Sequence, residues 1–220
     1  LNTPIKEVAE LPKNIFDKKI NKLREKTTGQ LIIKEYPTAS AHVGHFRSLL
    51  SELQLKKAFT PDIIFIDYLN ICASSRYKNS VNVNSYNYVK AIAEELRGLA
   101  VEFDVPIFSA TQTTRSGFTS TDPDLTDTSE SFGLPATADL MVALISSEEL
   151  EQLGQIMVKQ LKNRYNDPTY NKRFVVGIDR PKMRLFDCEQ EAQDDILDTS
   201  VDSDPVPAKV SKAKFNDWKF

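Results

Sequence analysis

Hydrophobic and polar positions change their period several times along the chain. Residues 14–26 set Ile15, Phe16, Ile20 and Leu23 on one side of a lysine-rich segment, the spacing of an amphipathic helix. Residues 30–36 form a short apolar run closed by Pro37, which reads as a strand. Ser40 is the expected cap of a helix carrying Phe46, Leu49, Leu50, Leu53 and Leu55. After Pro61, Ile63, Ile64, Phe65 and Ile66 are consecutive. A run without alternation predicts a strand over 62–67 buried on both faces, as in a parallel sheet. A loop rich in Ser and Asn occupies 73–84. From Ser85 onward, Val89, Ile92, Ala93, Leu96, Leu99, Ala100 and Phe103 keep helical spacing. Residues 105–111 read as the next buried strand, 113–129 as a largely polar connection, 139–145 as a strand and 147–153 as a short helix. Three runs, 155–162, 173–179 and 183–187, read as successive strands, the last two joined at Arg180-Pro181-Lys182.

Strands alternating with helices from 30 to 153 predict an α/β fold with a mainly parallel central sheet. Helices cover it through right-handed crossovers, and the C-terminal strands form an antiparallel extension. In such sheets ligands sit beyond the carboxyl ends of the strands. The residues just after each apolar run are therefore the ones to inspect.

Composition narrows the classes. The chain is 40% hydrophobic and 27% charged with a net charge of −3, enough apolar material for a real core. No apolar run approaches the ~20 residues of a membrane span. Cys72 and Cys188 are far apart, so no disulfide framework or zinc motif is suggested, and a reducing, cytoplasmic setting is expected. Seven glycines stand at 29, 44, 98, 117, 133, 154 and 177, no two closer than fifteen positions. A Walker-type phosphate loop needs two glycines five apart, and a dinucleotide fingerprint needs three within six. Neither exists within these residues. The chain opens at Leu1 without an initiator methionine, as a fragment or processed product would. All eight charges from Asp187 to Asp204 are negative. The expected division is a domain over 1–188 and an acidic, disordered tail over 189–220. That tail ends on Phe215, Trp218 and Phe220, aromatics suited to docking on a partner or folding back on the chain.

Two strand ends carry candidate chemistry. Asp67 closes Ile-Ile-Phe-Ile, the Walker B pattern in which a carboxylate holds the waters of a nucleotide-bound magnesium; an Asp there can equally cap a turn. Gln112 closes Pro-Ile-Phe-Ser-Ala-Thr. Lys162-Asn163-Arg164 ends a third apolar strand, either as a solvated basic end or as an arginine finger reaching a nucleotide across a subunit interface. His42 and His45 could pair on a metal but lack a third ligand and read as surface histidines. Tyr86 and Tyr88 read as helix-start packing rather than base-stacking residues.

In order, Ile64-Phe65-Ile66-Asp67-Tyr68-Leu69, Ser109-Ala110-Thr111-Gln112-Thr113-Thr114-Arg115, DTSESFGLPATAD at 127–139 and KNRYND at 162–167 form a set. It resembles the C-terminal, RecA-like motor domain of DnaB-type replicative helicases, in the form found in T-even-type bacteriophages. The likeness includes IIKEYPT at 32–38, FRSLL at 46–50 and SYNYVKAIAEELRGLAVE at 85–102, and runs from about residue 17 to 187. It implies a RecA-like three-layer fold and a fragment of a hexameric, ATP-dependent helicase that moves on single-stranded DNA, with ATP and Mg²⁺ as cofactors. Primase, polymerase or a helicase loader would be partners. The family's phosphate loop and water-polarising glutamate precede the matched region, so the fragment alone is expected to be inactive. By the same resemblance, Asp67 organises magnesium, Gln112 senses the γ-phosphate, and Arg164 with Lys162 completes a neighbour's site. Arg76, Lys78, Arg115, Glu130, Ser131 and Gly133 face the DNA channel. Ser129-Glu130 stands where the family usually has Arg-Glu. The alternatives are a non-enzymatic RecA-like assembly or regulatory module, and a recombinase-type ATPase.

Overall fold

The computed structural model describes residues 1–77, 84–113, 123–125, 133–167 and 169–188. The expected tail over 189–220, with its aromatic end, lies outside them.

The chain opens with α1 (Ile5–Val8) and α2 (Lys13–Lys26). The period seen in the sequence does form a helix at α2, but none of its residues is buried. Residues 30–36 form no regular element and have no strand partner among the described residues, and Leu31 and Ile33 are 83% exposed. An apolar run becomes a strand only when another edge satisfies its amides, so the expected strand is corrected to an irregular connection. Helix α3 (Val43–Lys57) starts at His42 rather than Ser40, whose hydroxyl instead donates to the Pro37 carbonyl. The His42 Nδ1 accepts from the Gly44 amide at 3.0 Å, and the His42 amide donates to His45 Nδ1 at 3.2 Å. Both imidazoles are thereby spent on capping.

Strand β1 (Ile64–Ile66) leads through a 3-10 turn, Leu69–Ile71, to the loop that precedes α4 (Ser85–Phe103). Asn84 caps α4 by accepting from the Tyr86 amide, and Asp104 ends it in the left-handed region. Strand β2 (Ile107–Ser109) then pairs parallel with β1, Ile64 opposite Ile107 and Ile66 opposite Ser109. Beyond lie α5 (Gly133–Thr137), β3 (Leu140–Ile145), α6 (Glu148–Gln152), β4 (Gln155–Asn163), β5 (Arg173–Asp179) and β6 (Arg184–Asp187). The last four strands form one antiparallel sheet in the order β3-β4-β5-β6. The described hydrogen bonds thus make a parallel pair and a separate, larger antiparallel sheet.

The core gathers on α4. Leu69, Cys72, Val89, Ile92, Ala93, Leu96 and Leu134 form one buried cluster, and Val43, Leu50 and Leu99 a second. Phe46 and Ile107 touch both. Burial pushes the Cys72 thiol pKa up. Ile64 and Ile66 pack into these clusters, whereas Phe65 between them is 73% exposed and stacks on Phe108 at 5.5 Å. The expectation of a strand buried on both faces is therefore corrected: α3 and α4 cover one side, and alternate residues point to the other.

Candidate nucleotide and DNA site

Asp67 and Gln112 both lie beyond the carboxyl ends of β1 and β2, which are neighbours in parallel register. Three cross-links lock the strand ends. Ser109 Oγ donates to the Ile66 carbonyl at 2.8 Å, the Leu69 amide to the Ala110 carbonyl at 3.2 Å, and Thr111 Oγ1 to Asn70 Oδ1 at 2.9 Å. The Asp67–Tyr68 peptide is cis. Asp67 and Gln112 are both exposed, and neither side chain has a hydrogen-bond partner among the described residues. A carboxylate and an amide so placed can hold external oxygen and water rather than cap their own turn.

Lys162 and Arg164 form a second group around the end of α5. Three successive carbonyls there accept from three cations: Pro135 from Lys162 Nζ, Ala136 from Arg164 at 2.8 Å, and Thr137 from Arg97 at 2.7 Å. The Asp139 carboxylate is shared, with Oδ2 facing Arg97 at 2.6 Å and Oδ1 facing Arg164 at 3.0 Å. Helix carbonyl ends attract cations, and three cations against one carboxylate leave an excess of positive charge. A guanidinium has five N–H donors, and Arg164 spends only part of its set on Asp139 and Ala136. Chiefly the Arg97 hydrogen bond, with Arg164 adding to it, holds the Asp139 carboxyl below its usual range. Burial, with Arg164 beside it, lowers the Lys162 ammonium pKa. No hydrogen bond or ion pair among the described residues links this group to Asp67 or Gln112.

Of the residues expected to face DNA, Arg76 is exposed, while Lys78, Arg115, Glu130 and Ser131 lie outside the described residues. Gly133 is buried, and a Cβ there would meet the Lys90 side chain at 2.9 Å. The structure thus gives Gly133 a packing role against α4. Tyr88 packs at the edge of the core and its hydroxyl accepts from the Ser74 amide.

Sequence reasoning assigned no role to Arg97, Asp139 or Glu95. Asp139 sat inside a quoted motif, but its partners are 42 and 25 residues away. Glu95 did carry a signal: it is a charge on the apolar stripe that includes Ile92, Leu96 and Leu99, and it is buried.

Nucleotide and magnesium are tested by the donor set. Among the described residues there is no cluster of three or more potential metal-ligating His, Cys, Asp or Glu. A cation at the strand ends would thus take one protein carboxylate, Asp67, and otherwise water and phosphate oxygens, which suits magnesium. The donors fit that group.

The chain matches the family described as DnaB-like helicase C terminal domain over residues 5–172. It is 42% identical over 200 residues to the DnaB-like replicative helicase of Enterobacteria phage T4, covering 90% of this chain and 42% of the relative. It is 28% identical over 184 residues to the replicative DNA helicase DnaB of Mycoplasma pneumoniae, covering 78% and 37%. The chain therefore spans about two-fifths of the length of these curated relatives. Two solved structures share its fold. One is described as an ATPase domain, with TM-score 0.55 and 22% identity over 68% of this chain and 52% of that one. The other is a DnaB-like replicative helicase described with its interactions with primase, with TM-score 0.58 and 21% identity over 70% and 36%. The fold is the RecA-like α/β fold of helicase ATPase domains. No helix among the described residues is long and apolar enough to cross a membrane.

Proposed function

Because the chain belongs to the DnaB-like helicase C-terminal domain family, we propose that it is the motor part of a hexameric replicative helicase that moves along single-stranded DNA. The observation that carries this reading is the pair of exposed, unpartnered side chains, Asp67 and Gln112, at the carboxyl ends of two adjacent parallel strands. ATP with magnesium supplies the phosphoanhydride whose hydrolysis drives movement. Asp67 orients the cation's water shell. Gln112 reports on the outermost phosphate and passes that state to the segment beginning at Thr113. Arg164 and Lys162 offer positive charge to the site of an adjacent subunit, held ready by the α5 carbonyls and Asp139. Arg76 contributes backbone contacts to DNA, which require charge rather than base readout. Primase, polymerase or a loader would act on the assembled ring.

The glycine spacing makes one outcome explicit. No glycine pair within these 220 residues has the spacing of a Walker-type loop that cradles the β- and γ-phosphates. The pure chain, mixed with ATP, magnesium and single-stranded DNA, should release no phosphate above background. Turnover near one per second would contradict the assignment. With the family's phosphate-loop segment joined ahead of Leu1, Gln112→Ala should retain basal hydrolysis and lose its stimulation by DNA. Equal loss with and without DNA would remove the sensor role.

A further inference from the structure

The loop that carries Arg76 leaves the core along α4, and two adjacent glutamates of that helix meet it differently. Glu95 is buried, its side chain 5% exposed. Its carboxylate accepts from the Ser74 hydroxyl at 2.6 Å, the Ser75 hydroxyl at 2.8 Å, the Ser75 amide at 2.9 and 3.1 Å, and the Arg76 amide at 3.3 Å. Ser74 Oγ also accepts from the Arg76 amide, and Tyr88 Oη accepts from the Ser74 amide. Three successive backbone amides are thereby fixed. Consecutive amides that converge on one anion form an anion-binding nest, and here the anion is the protein's own carboxylate. Glu94, one residue earlier, is half-exposed and meets the Arg76 guanidinium at 2.5 Å, with Lys90 at 3.9 Å on its other side, whereas Glu95 reaches the guanidinium Nε only at 4.0 Å.

We propose that the two glutamates divide the control of Arg76: Glu95 is a positioning residue that fixes the loop backbone, and Glu94 parks the guanidinium until a nucleic-acid phosphate displaces it. The division follows from exposure. A buried carboxylate holding four donors through five hydrogen bonds cannot exchange partners without leaving those amides unsatisfied. An exposed ion pair is worth only about 0.2–1 kcal/mol, and a phosphate can compete with it. The inference rests on the reading that Arg76 touches DNA.

Neighbouring glutamates are therefore expected to act with opposite sign. Single-stranded DNA binding by this chain is read by fluorescence anisotropy of a labelled oligonucleotide over a salt series. Glu94→Gln should tighten binding about two- to five-fold, the range of an exposed pair. Glu95→Gln, close in shape but with only one accepting oxygen, should weaken it as much as Arg76→Ala does. The Arg76 change should also lower the salt slope by about 0.7. In the Arg76→Ala background both glutamate changes should have no effect on affinity, because each acts through that side chain. Undiminished effects there would overturn the proposal, as would weakening by Glu94→Gln. A second measurement needs no DNA. The Ser75 and Arg76 amides should be protected from hydrogen exchange in the unaltered chain and should lose protection in Glu95→Gln. Unprotected amides in the unaltered chain would overturn the role of Glu95. DNA binding that is insensitive to Arg76→Ala, with the amides protected, would instead overturn the DNA reading alone.

Discussion

Asp139 decides how Arg164 is presented. It binds Arg97 through one oxygen and Arg164 through the other, so Arg97 orients the carboxylate and the carboxylate orients the Arg164 guanidinium. Its pKa is depressed by those partners, and a depressed carboxylate favours the folded arrangement at pH values above its unfolded pKa. That contribution is lost as pH falls through the folded pKa. The clamp should thus hold throughout the neutral range and open only in acid. Carboxyl-carbon NMR titration should find an Asp139 midpoint below the ordinary Asp value of about 3.9, and Arg97→Ala should move it upward. An ordinary midpoint that Arg97→Ala leaves unmoved would contradict the clamp. Sequence could not reveal this arrangement, because ion pairs across 42 residues leave no local periodicity. Lys162 and Arg164 were legible because both follow an apolar run.

Helix α4 is the element on which the molecule depends. It supplies the core with Leu99, which is fully buried, and Ile92, which is 1% exposed. It also positions Arg97 at one site and Glu95 at another. Leu99→Ala should cost about 2–5 kcal/mol in denaturant unfolding, the range for emptying a packed core position. Near-zero loss would mean that the position can collapse freely or that the packing is wrong. At the start of α3, His42→Ala removes the accepting nitrogen that caps the Gly44 amide. The expected loss is about 1 kcal/mol, measurable in the same unfolding experiment; none would show the cap to be idle. Clean 3.6-residue spacing made α4 readable almost to the residue, and alternation with turn residues did the same for β5. The connection over 30–36 was misread because composition cannot tell an apolar run with a partner edge from one without. The α3 start was misread because a histidine that presents Nδ1 caps as Ser does, and residue type favoured Ser40.

At the scale of the whole molecule, no hydrogen bond or ion pair among the described residues joins the two groups of candidate residues. Asp67 and Gln112 stand at the ends of the parallel pair, whereas Lys162, Arg164 and Arg97 gather at the end of α5 on the antiparallel sheet. On the proposed reading, such a chain would be completed by a second copy. The α/β class and the order of strands along the chain were legible from apolar runs and the residues ending them. The separation of the parallel pair from the antiparallel sheet was not, because pairing is decided by contacts distant in sequence. The direct test mixes two inactive variants, each with the family's phosphate-loop segment joined ahead of Leu1. Asp67→Asn disables a subunit's own site but keeps its finger; Arg164→Ala keeps the site but should lower hydrolysis by about 10³-fold or more by depriving the neighbour. ATP hydrolysis, nearly absent from either variant alone, should reappear on mixing and peak near equal proportions, where an intact finger faces an intact site. Mixed rings of verified composition that regain no activity at any ratio would contradict the division of the site between subunits.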